Sequence, residues 1–192
     1  MNQSLQERIA RAVSEEISIE PYDANWRHMF DEEKSYLEKI LPESIILRIE
    51  HFGSTAVEGL PSKPIIDMLI EVSSLEETRD KIVPILESKG YDYFWRPEFD
   101  GPPYYAWFIK RGEDGKRTHH IHMVESDSKL WDRLYFRDYL RMFPDVAAKY
   151  AIIKTDLSKK YPNDRIEYTK GKTDFVVAVT QKAIEFFKSA KK

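Results

Sequence analysis

The sequence predicts an α+β domain built on a mixed β-sheet with flanking helices and a C-terminal helical segment. The elements come in the order helix, strand, strand, helix, several strands and three helices, so helices and strands are largely segregated along the chain. The last strands are joined by short turns, and we expect them to pair antiparallel. One early strand, residues 64–72, is apolar on both faces, as in the interior of a sheet covered by other elements.

The chain begins with a polar stretch, residues 1–19, in which scattered apolar residues predict a short N-terminal helical extension. Asp23 is a helix-capping residue type, and apolar side chains recur at helical spacing over residues 24–41. These features predict an amphipathic helix. The β-rich residues 45–52 then predict the first strand, which ends at Gly53.

A helix is expected after the second strand. Ser74 and Glu77 form a capping box, and a buried stripe follows until Gly90, a residue type that ends helices. Pro84 lies inside this stripe, so we expect it to kink the helix or to split it.

The remainder of the chain is predicted as three strands followed by three helices, in one domain over residues 20–192. The strands are expected at residues 91–95, 104–110 and 118–124, and the helices at 129–142, 145–160 and 164–188, with Gly171 able to interrupt the last helix.

The composition excludes several classes of protein. The 30 Lys and Arg against 33 Asp and Glu leave a net charge of −3, which argues against a dedicated nucleic-acid binder. The absence of cysteine excludes disulfides, thiol nucleophiles and thiolate metal sites. No stretch of about 18 apolar residues exists for a membrane span, and the N-terminus lacks the apolar core of a signal peptide. We therefore expect a cytoplasmic protein without a membrane partner.

The loop after the first strand predicts a phosphate site. Gly53 allows the backbone to turn sharply and to approach a ligand closely, and Ser54 and Thr55 offer hydroxyl groups. A helical turn starting here would add free N–H groups, and Lys63 could neutralise phosphate charge from the far end of the loop. The alternative is a glycine turn that caps a short helix, with Lys63 simply solvated.

Asp67 lies within the apolar second strand. A carboxylate in such a place is costly unless it is paired or bound to a metal ion. Two interpretations stay open: Asp67 forms an ion pair with a neighbouring cation such as Lys63, or it is a metal ligand at the edge of the phosphate loop.

The strand over residues 118–124 is rich in histidine. Alternation places His120 and His122 on one face and His119 on the other. Two residues on one strand face are about 7 Å apart at Cα, which lets both imidazoles reach one metal ion. With Asp67 they would form a set of two histidines and one carboxylate for Mg²⁺, Mn²⁺ or Zn²⁺. Glu50 could add a fourth ligand. The alternative is hydrogen bonding to polar groups, or direct ligand contact, without a metal ion.

Two groups of basic residues and a C-terminal segment complete the candidates. We expect the residues that flank the Asp114-Gly115 turn to be solvated, and the arginines at helical spacing to form a surface helix face; these are Lys110, Arg111, Lys116 and Arg117, and Arg133, Arg137 and Arg141. Tyr168 and Lys172 could close over a nucleotide from the C-terminal helices.

Taken together, these motifs resemble the nucleotidyltransferase superfamily and, more closely, the GrpB family, which is also found fused behind dephospho-CoA kinase. The resemblance runs from about residue 20 to the end. The segments that carry it are Tyr22-Asp23 with Trp26, residues 49–57, Gly59-Leu60, residues 63–67, residues 118–122 with Val124-Glu125, residues 136–140, Tyr168-Thr169 and Gly171-Lys172.

The resemblance implies a nucleotidyltransferase-like fold that binds a nucleotide or another phosphate-bearing small molecule with a divalent metal ion, and Asp67 as the catalytic carboxylate. Active members of the superfamily carry Asp-x-Asp or Asp-x-Glu on the second strand, whereas the second position here is Leu69. Glu71 lies about 13 Å farther along a strand, too far to share an ion with Asp67. Nucleotidyl transfer, a catalytically silent ligand- or partner-binding module, and a metal-dependent hydrolase therefore all remain open.

Overall fold

The structure, a computed structural model, describes residues 4–97 and 103–189. Its elements follow the order that the sequence predicts. The helices are α1 Leu5–Ser14, α2 Asn25–Ile40, α3 Leu75–Glu77, α4 Val83–Ser88, α5 Asp132–Met142, α6 Pro144–Lys160, α7 Arg165–Gly171 and α8 Thr173–Ser189, and the strands are β1 Ile46–Phe52, β2 Ile66–Val72, β3 Asp92–Pro97, β4 Tyr104–Arg111 and β5 Arg117–Val124. None of the helices described is long and apolar enough to cross a membrane.

The five strands form one mixed sheet in the order β1-β2-β5-β4-β3. β2 and β5 run parallel, whereas the other neighbouring pairs are antiparallel. The predicted α+β class with a mixed sheet is therefore confirmed, and so is the antiparallel pairing of the last strands. The parallel pair brings Asp67 directly beside His120 in the ladder.

One face of the sheet, here called the covered face, is lined mainly by buried apolar side chains. It packs against α2 and the helical segment over residues 75–88, and its side chains belong to a single apolar cluster. On β2 the contributors are Ile66, Met68 and Ile70, none of which is measurably exposed. His119 lies on this side too, with its Nε2 3.4 Å from the carbonyl oxygen of Met29 in α2.

The other face, here called the open face, is apolar only in part. Phe52, Leu69 and Trp107 join a second cluster on it, while Asp67, His120 and His122 stand among them. The C-terminal helices α5, α6 and α8 form a third cluster, which also contains Val57 and Leu60 from the loop after β1. That loop therefore connects the sheet to the helical segment.

The two predicted irregularities in helices are present. A π-helical segment, Thr78–Ile82, joins α3 to α4 just before Pro84, so the regular hydrogen-bond pattern of the helix is interrupted where the proline lies. Gly171 ends α7, and a Cβ at this position would press on the Cδ atoms of Leu157 in α6. A larger residue there would therefore force the Leu157 side chain to move.

The N-terminal extension forms a helix, as predicted, and it packs on the domain. Ala12 of α1 joins the apolar cluster of the open face. The amide of Ile17 donates to the carbonyl of Pro162 at 2.7 Å, and Glu20 pairs with Ser62 in an isolated antiparallel bridge. The segment thus spans from the sheet to the C-terminal helices.

Candidate functional site

Asp67 lies at the centre of the candidate site, next to Phe52 of β1 and His120 of β5. Gly53 immediately follows β1 with φ of 73°, and a Cβ at this position would overlap the Asp67 carboxylate. The glycine is therefore needed for the turn and for room beside Asp67. About a third of the Asp67 side chain, 29%, is exposed, so the carboxylate is partly open to solvent.

The surroundings of Asp67 keep it ionised. Burial by itself raises the pKa of a carboxyl group, but the hydrogen bond from His120, and then the charges that His120, His122 and Lys63 carry when protonated, outweigh it and lower the pKa of Asp67 to about 2. Asp67 has a direct partner in this structure, because His120 Nδ1 lies 3.0 Å from Asp67 Oδ1.

His120 bridges Asp67 and a buried arginine. A carboxylate only accepts hydrogen bonds, so Nδ1 of His120 carries the proton that it donates to Asp67. An arginine only donates, so Nε2 of His120 accepts from Arg117 Nη1 at 3.3 Å. Burial lowers the pKa of His120 to about 4, which leaves the ring neutral at pH 7.

His122 is the second histidine of this face. Its Nδ1 lies 3.2 Å from the hydroxyl of Tyr105, which leaves Nε2 as the ring nitrogen that can bind an ion. Burial lowers the pKa of His122 to about 3, so this ring is neutral as well. Neutral imidazole is the form that ligates metals.

Asp67, His120 and His122 each offer a ligand atom, and these atoms lie within 4.8 Å of one another. Glu50, the expected fourth ligand, does not join this group. Its carboxylate accepts a hydrogen bond from Arg137 at 3.1 Å instead. His119 points to the covered face, as the alternation predicts.

A basic wall lies beside the carboxylate. The Nζ atoms of Lys63 and Lys172 lie 5.1 and 5.3 Å from the ring centre of Tyr168. The structure thus brings together three residues that the sequence proposed for phosphate binding. Burial, and then the charges of Lys172 and Arg165, hold the pKa of Lys63 well below its usual range. An anion between these side chains would relieve that repulsion.

Thr55, in the loop after β1, was expected to offer its hydroxyl group to a phosphate, but the structure gives it another role. Its hydroxyl is buried; it donates to the carbonyl of Ile65 at 3.4 Å and accepts from His51 Nε2 at 3.0 Å. Thr55 therefore holds the loop together and does not face a phosphate. The expected helical turn is present as a 3₁₀ turn, Ser54–Ala56, and Ser54 is half-buried.

Two arginines of α5 hold the same loop, although the sequence assigned them to a surface. Arg141 donates to the carbonyl of Ala56 from Nε at 2.9 Å and from Nη2 at 2.7 Å. Arg137 donates to the carbonyl of His51 at 2.7 Å. Their spacing of four residues was the available signal, because it places both on one helix face.

The expectation of a solvated β4–β5 hairpin is wrong for its arginines. Arg117 is buried, Arg111 is half-buried, and both donate to Glu15, which follows α1. The partner lies about a hundred residues away in sequence, so no local pattern indicated it. Lys110 likewise pairs with Glu33 of α2.

Two cavities flank this region. A cavity of about 270 Å³ is lined by Lys63, Arg117 and Arg165 together with Glu15. A larger groove of about 860 Å³ lies between the loop after β1 and α6, and His51 and Arg141 line it. Asp67, His120 and His122 are not among the described residues that line either of these cavities.

Comparison with known proteins places this chain among a set of bacterial relatives. A family model described as GrpB protein matches residues 16–182. The glutamate-rich protein GrpB of Alkalihalophilus pseudofirmus is 39% identical over 162 residues, which cover 84% of this chain and 92% of that protein. YqkA of Bacillus subtilis is 37% identical over 168 residues, 87% of this chain, but the chain spans only 47% of that protein.

A solved structure and a longer relative agree with this match. The crystal structure of conserved protein GrpB from Enterococcus faecalis has a TM-score of 0.78 and 32% identity, covering 88% of this chain and 99% of that one. A dephospho-CoA kinase of Mycobacterium bovis is 26% identical over 202 residues, 94% of this chain and 48% of the kinase, in line with the expected fusion. The chain belongs to the GrpB family.

Proposed function

We propose that this GrpB-family chain binds a phosphate-bearing small molecule, a nucleotide, in the cleft at Asp67, with the help of a divalent metal ion. Gly53 and Ser54 form the turn beside the carboxylate, and Lys63, Tyr168 and Lys172 form the basic wall.

The observation that carries this proposal is the grouping of Asp67, His120 and His122, whose ligand atoms lie within 4.8 Å of one another. An ionised carboxylate and two neutral imidazoles are a donor set that suits Zn²⁺ or Mn²⁺. Basic side chains on one side of this group suit the phosphates that such an ion would bridge. A divalent ion supplies charge stabilisation to phosphate oxygens when bound.

The three donors do not fit an ion equally well. Asp67 is partly open to the cleft, and His122 keeps Nε2 available. His120 has both ring nitrogens engaged, so it must give up the contact with Asp67 or with Arg117 before it can ligate. We therefore assign Asp67 and His122 as the primary ligands and His120 as the residue that positions Asp67.

Nucleotidyl transfer is the reaction that the superfamily resemblance favours. It would rely on positioning and charge stabilisation rather than on a covalent intermediate. A catalytically silent binding module is the second candidate, and Leu69 favours it, because this fully buried side chain stands where active members carry a second carboxylate. Glu71 cannot replace it, since it forms an ion pair with Arg48 at 3.2 Å.

Turnover separates the two candidates. The full chain is incubated with each of the four nucleoside triphosphates and Mn²⁺ or Mg²⁺, and pyrophosphate release is followed with and without acceptor alcohols. Release that disappears in Asp67→Asn supports transfer. Nucleotide binding without release across the acceptor panel supports the silent module. If the chain neither binds a nucleotide nor releases pyrophosphate, the proposal is overturned.

His122→Ala and His120→Ala sharpen the assignment of ligands. Metal content after loading with Zn²⁺ is measured by elemental analysis in both variants and in His119→Ala, the control on the covered face. We expect the greatest loss in His122→Ala, a smaller one in His120→Ala and none in His119→Ala. Equal metal content in all three would remove the histidines from the site.

A further inference from the structure

A cluster of three arginines surrounds one carboxylate behind the candidate site. Glu15 lies 2.6 Å from Arg111 Nη1, 2.5 Å from Arg117 Nε and 3.8 Å from Arg165 Nη2. The three arginines come from β4, β5 and α7, so Glu15 connects the sheet to the C-terminal helices. Below, these four residues are called the Glu15 cluster.

The Glu15 cluster has more positive than negative charge. Arginine stays protonated in proteins, so three positive charges face Glu15 and Asp92, which accepts from Arg111 Nε at 2.8 Å. Only 9% of the Arg111 side chain is exposed, and its buried Nη2 atom has no hydrogen-bond partner among the residues that the structure describes. A buried guanidinium with an unpaired donor is costly, and a further anion would satisfy it.

A cavity opens beside two of the three arginines. It has a volume of about 270 Å³ and is lined by Arg117 and Arg165, but not by Arg111. Five basic and four acidic residues line it, and Glu15 is one of the four, so loss of the Glu15 charge leaves a clear basic excess in a space whose size suits a small oxyanion such as a phosphate group.

The helix that carries Glu15 into this position is held mainly by the same arginines: besides their ion pairs with Glu15, Arg117 donates to the carbonyl of Ala12, and Arg165 donates to the carbonyls of Glu15 and Glu16 at 3.0 and 3.1 Å. Leu5, Ile9 and Val13 of α1 remain 52%, 46% and 37% exposed, and Ala12 is the buried residue of this helix. Arg11 adds a hydrogen bond to the carbonyl of Gly115 at 2.8 Å. The family match begins at residue 16, so Glu15 and α1 precede it, whereas all three arginines lie within it. The arginines therefore belong to the matched domain, and their carboxylate partner does not.

We infer that the three arginines form an anion site of their own, in which Glu15 acts as a built-in competitor that a phosphate anion displaces. When an anion with more charge and more acceptor oxygens takes the place of Glu15, the ion pairs that hold α1 are lost and the helix loosens. Arg117 links this site to the cleft, since it also donates to His120. The inference does not depend on the nucleotide or the metal ion proposed above.

The test is a calorimetric titration of inorganic pyrophosphate into the full chain at low salt, for the wild type, Glu15→Gln and Glu76→Gln. Glu76 is exposed and lines neither cavity, so its variant carries the same change in charge away from the arginines. We expect Glu15→Gln to bind pyrophosphate at least about tenfold more tightly than the wild type, because the competing charge is gone. Glu76→Gln should differ from the wild type by less than about twofold. Equal or weaker binding in Glu15→Gln would overturn the inference.

A second measurement on the wild type covers the case in which Glu15→Gln fails to fold. Hydrogen exchange of the α1 amides is compared with and without saturating pyrophosphate. We expect faster exchange in α1 on addition of pyrophosphate and unchanged exchange in α8. Unchanged or slower exchange in α1 would contradict displacement. A competing titration with ATP then tells whether the site takes free phosphate anions or the phosphates of a nucleotide. Lys172→Ala removes a residue of the proposed nucleotide wall that does not line this cavity, so loss of nucleotide binding with pyrophosphate binding retained in that variant distinguishes the two proposals.

Discussion

The two faces of the sheet put the same strands to different use. On β2, Ile66, Met68 and Ile70 point to the covered face and are fully buried. The alternate residues Asp67 and Glu71 point to the open face and keep part of their surface in solvent. Alternation along a strand thus places adjacent residues in separate surroundings, one set in the core and the other on the face for which we propose binding.

The difference between the faces lies in how polar groups are satisfied. Polar residues on the covered side are paired within the packed interior: His119 bonds to the carbonyl of Met29 and the hydroxyl of Thr118, and Lys110 forms an ion pair with Glu33 of α2. On the open face, Asp67 is held ionised by His120 and by nearby positive charge. We therefore expect substitutions on the covered face to cost stability and substitutions on the open face to cost binding.

The largest effect on stability is expected for Ile70→Ala on the covered face. Removing a fully buried isoleucine leaves a cavity, and we expect a loss of about 2–5 kcal/mol in the free energy of unfolding, measured by urea titration. Binding of Mn²⁺ by the folded fraction should not change. A large drop in metal affinity without a loss of stability would break the distinction between the faces.

The second effect is a loss of stability in acid through His51, which stacks on Phe30 on the covered side. Burial lowers the pKa of His51 from 6.5 to about 4, so the unfolded chain binds its proton first. Stability is therefore complete above about pH 6.5 and falls as the pH drops toward 4, by at most about 3 kcal/mol for this residue.

Urea titrations of the wild type and His51→Gln over this pH range check the effect. His120 and His122 contribute with the same sign, since burial lowers their pKa values as well. The variant should therefore keep part of the pH dependence and lose the share of His51. An unchanged pH dependence in His51→Gln would show that this imidazole is not buried in its neutral form.

Gly53→Ala comes third and affects both properties. The sequence favoured a glycine for close approach of a ligand, whereas the structure places the Asp67 carboxylate against it. An alanine would adopt an unfavourable positive φ and push Asp67 aside, so we expect a loss of about 1–3 kcal/mol together with weaker metal binding. Gly59→Ala is the control, since its φ is also positive but no atom lies near its Cβ position. If Gly53→Ala and Gly59→Ala bind the metal ion with equal affinity, Gly53 has no role in metal binding.

Most of the fold could be predicted because its signals are local. Apolar periodicity, capping residues, Pro84 and Gly171 each act within a few residues, and the structure confirms the elements that they predict. The pairing of Asp67 with His120 was within reach too, since alternation and neighbouring strands suffice for it.

The parts that could not be predicted depend on distant partners. Arg117 is buried because Glu15 lies 102 residues before it, and no pattern near either residue indicates this contact. The Thr55 side chain points inward because its hydroxyl forms hydrogen bonds with His51 and with the carbonyl of Ile65. These partners come close to Thr55 only when the loop is folded. The residue types in these cases indicated which segments carry polar interactions, but only tertiary packing determines the direction in which each side chain points.

The central claim is that Asp67 on the open face holds a divalent ion for a phosphate ligand. The most direct test is a calorimetric titration of Mn²⁺, with and without ATP, into the wild type, Asp67→Asn and Glu71→Gln, each first shown to be folded by thermal melting. Glu71 is the matched control, because it is a carboxylate on the same strand and face, engaged with Arg48 in an ion pair of the kind that contributes little to stability. We predict that Glu71→Gln binds like the wild type and that Asp67→Asn loses about a hundredfold or more in affinity, with the loss of a charged ligand. Equal affinity in Asp67→Asn and the wild type would contradict the claim.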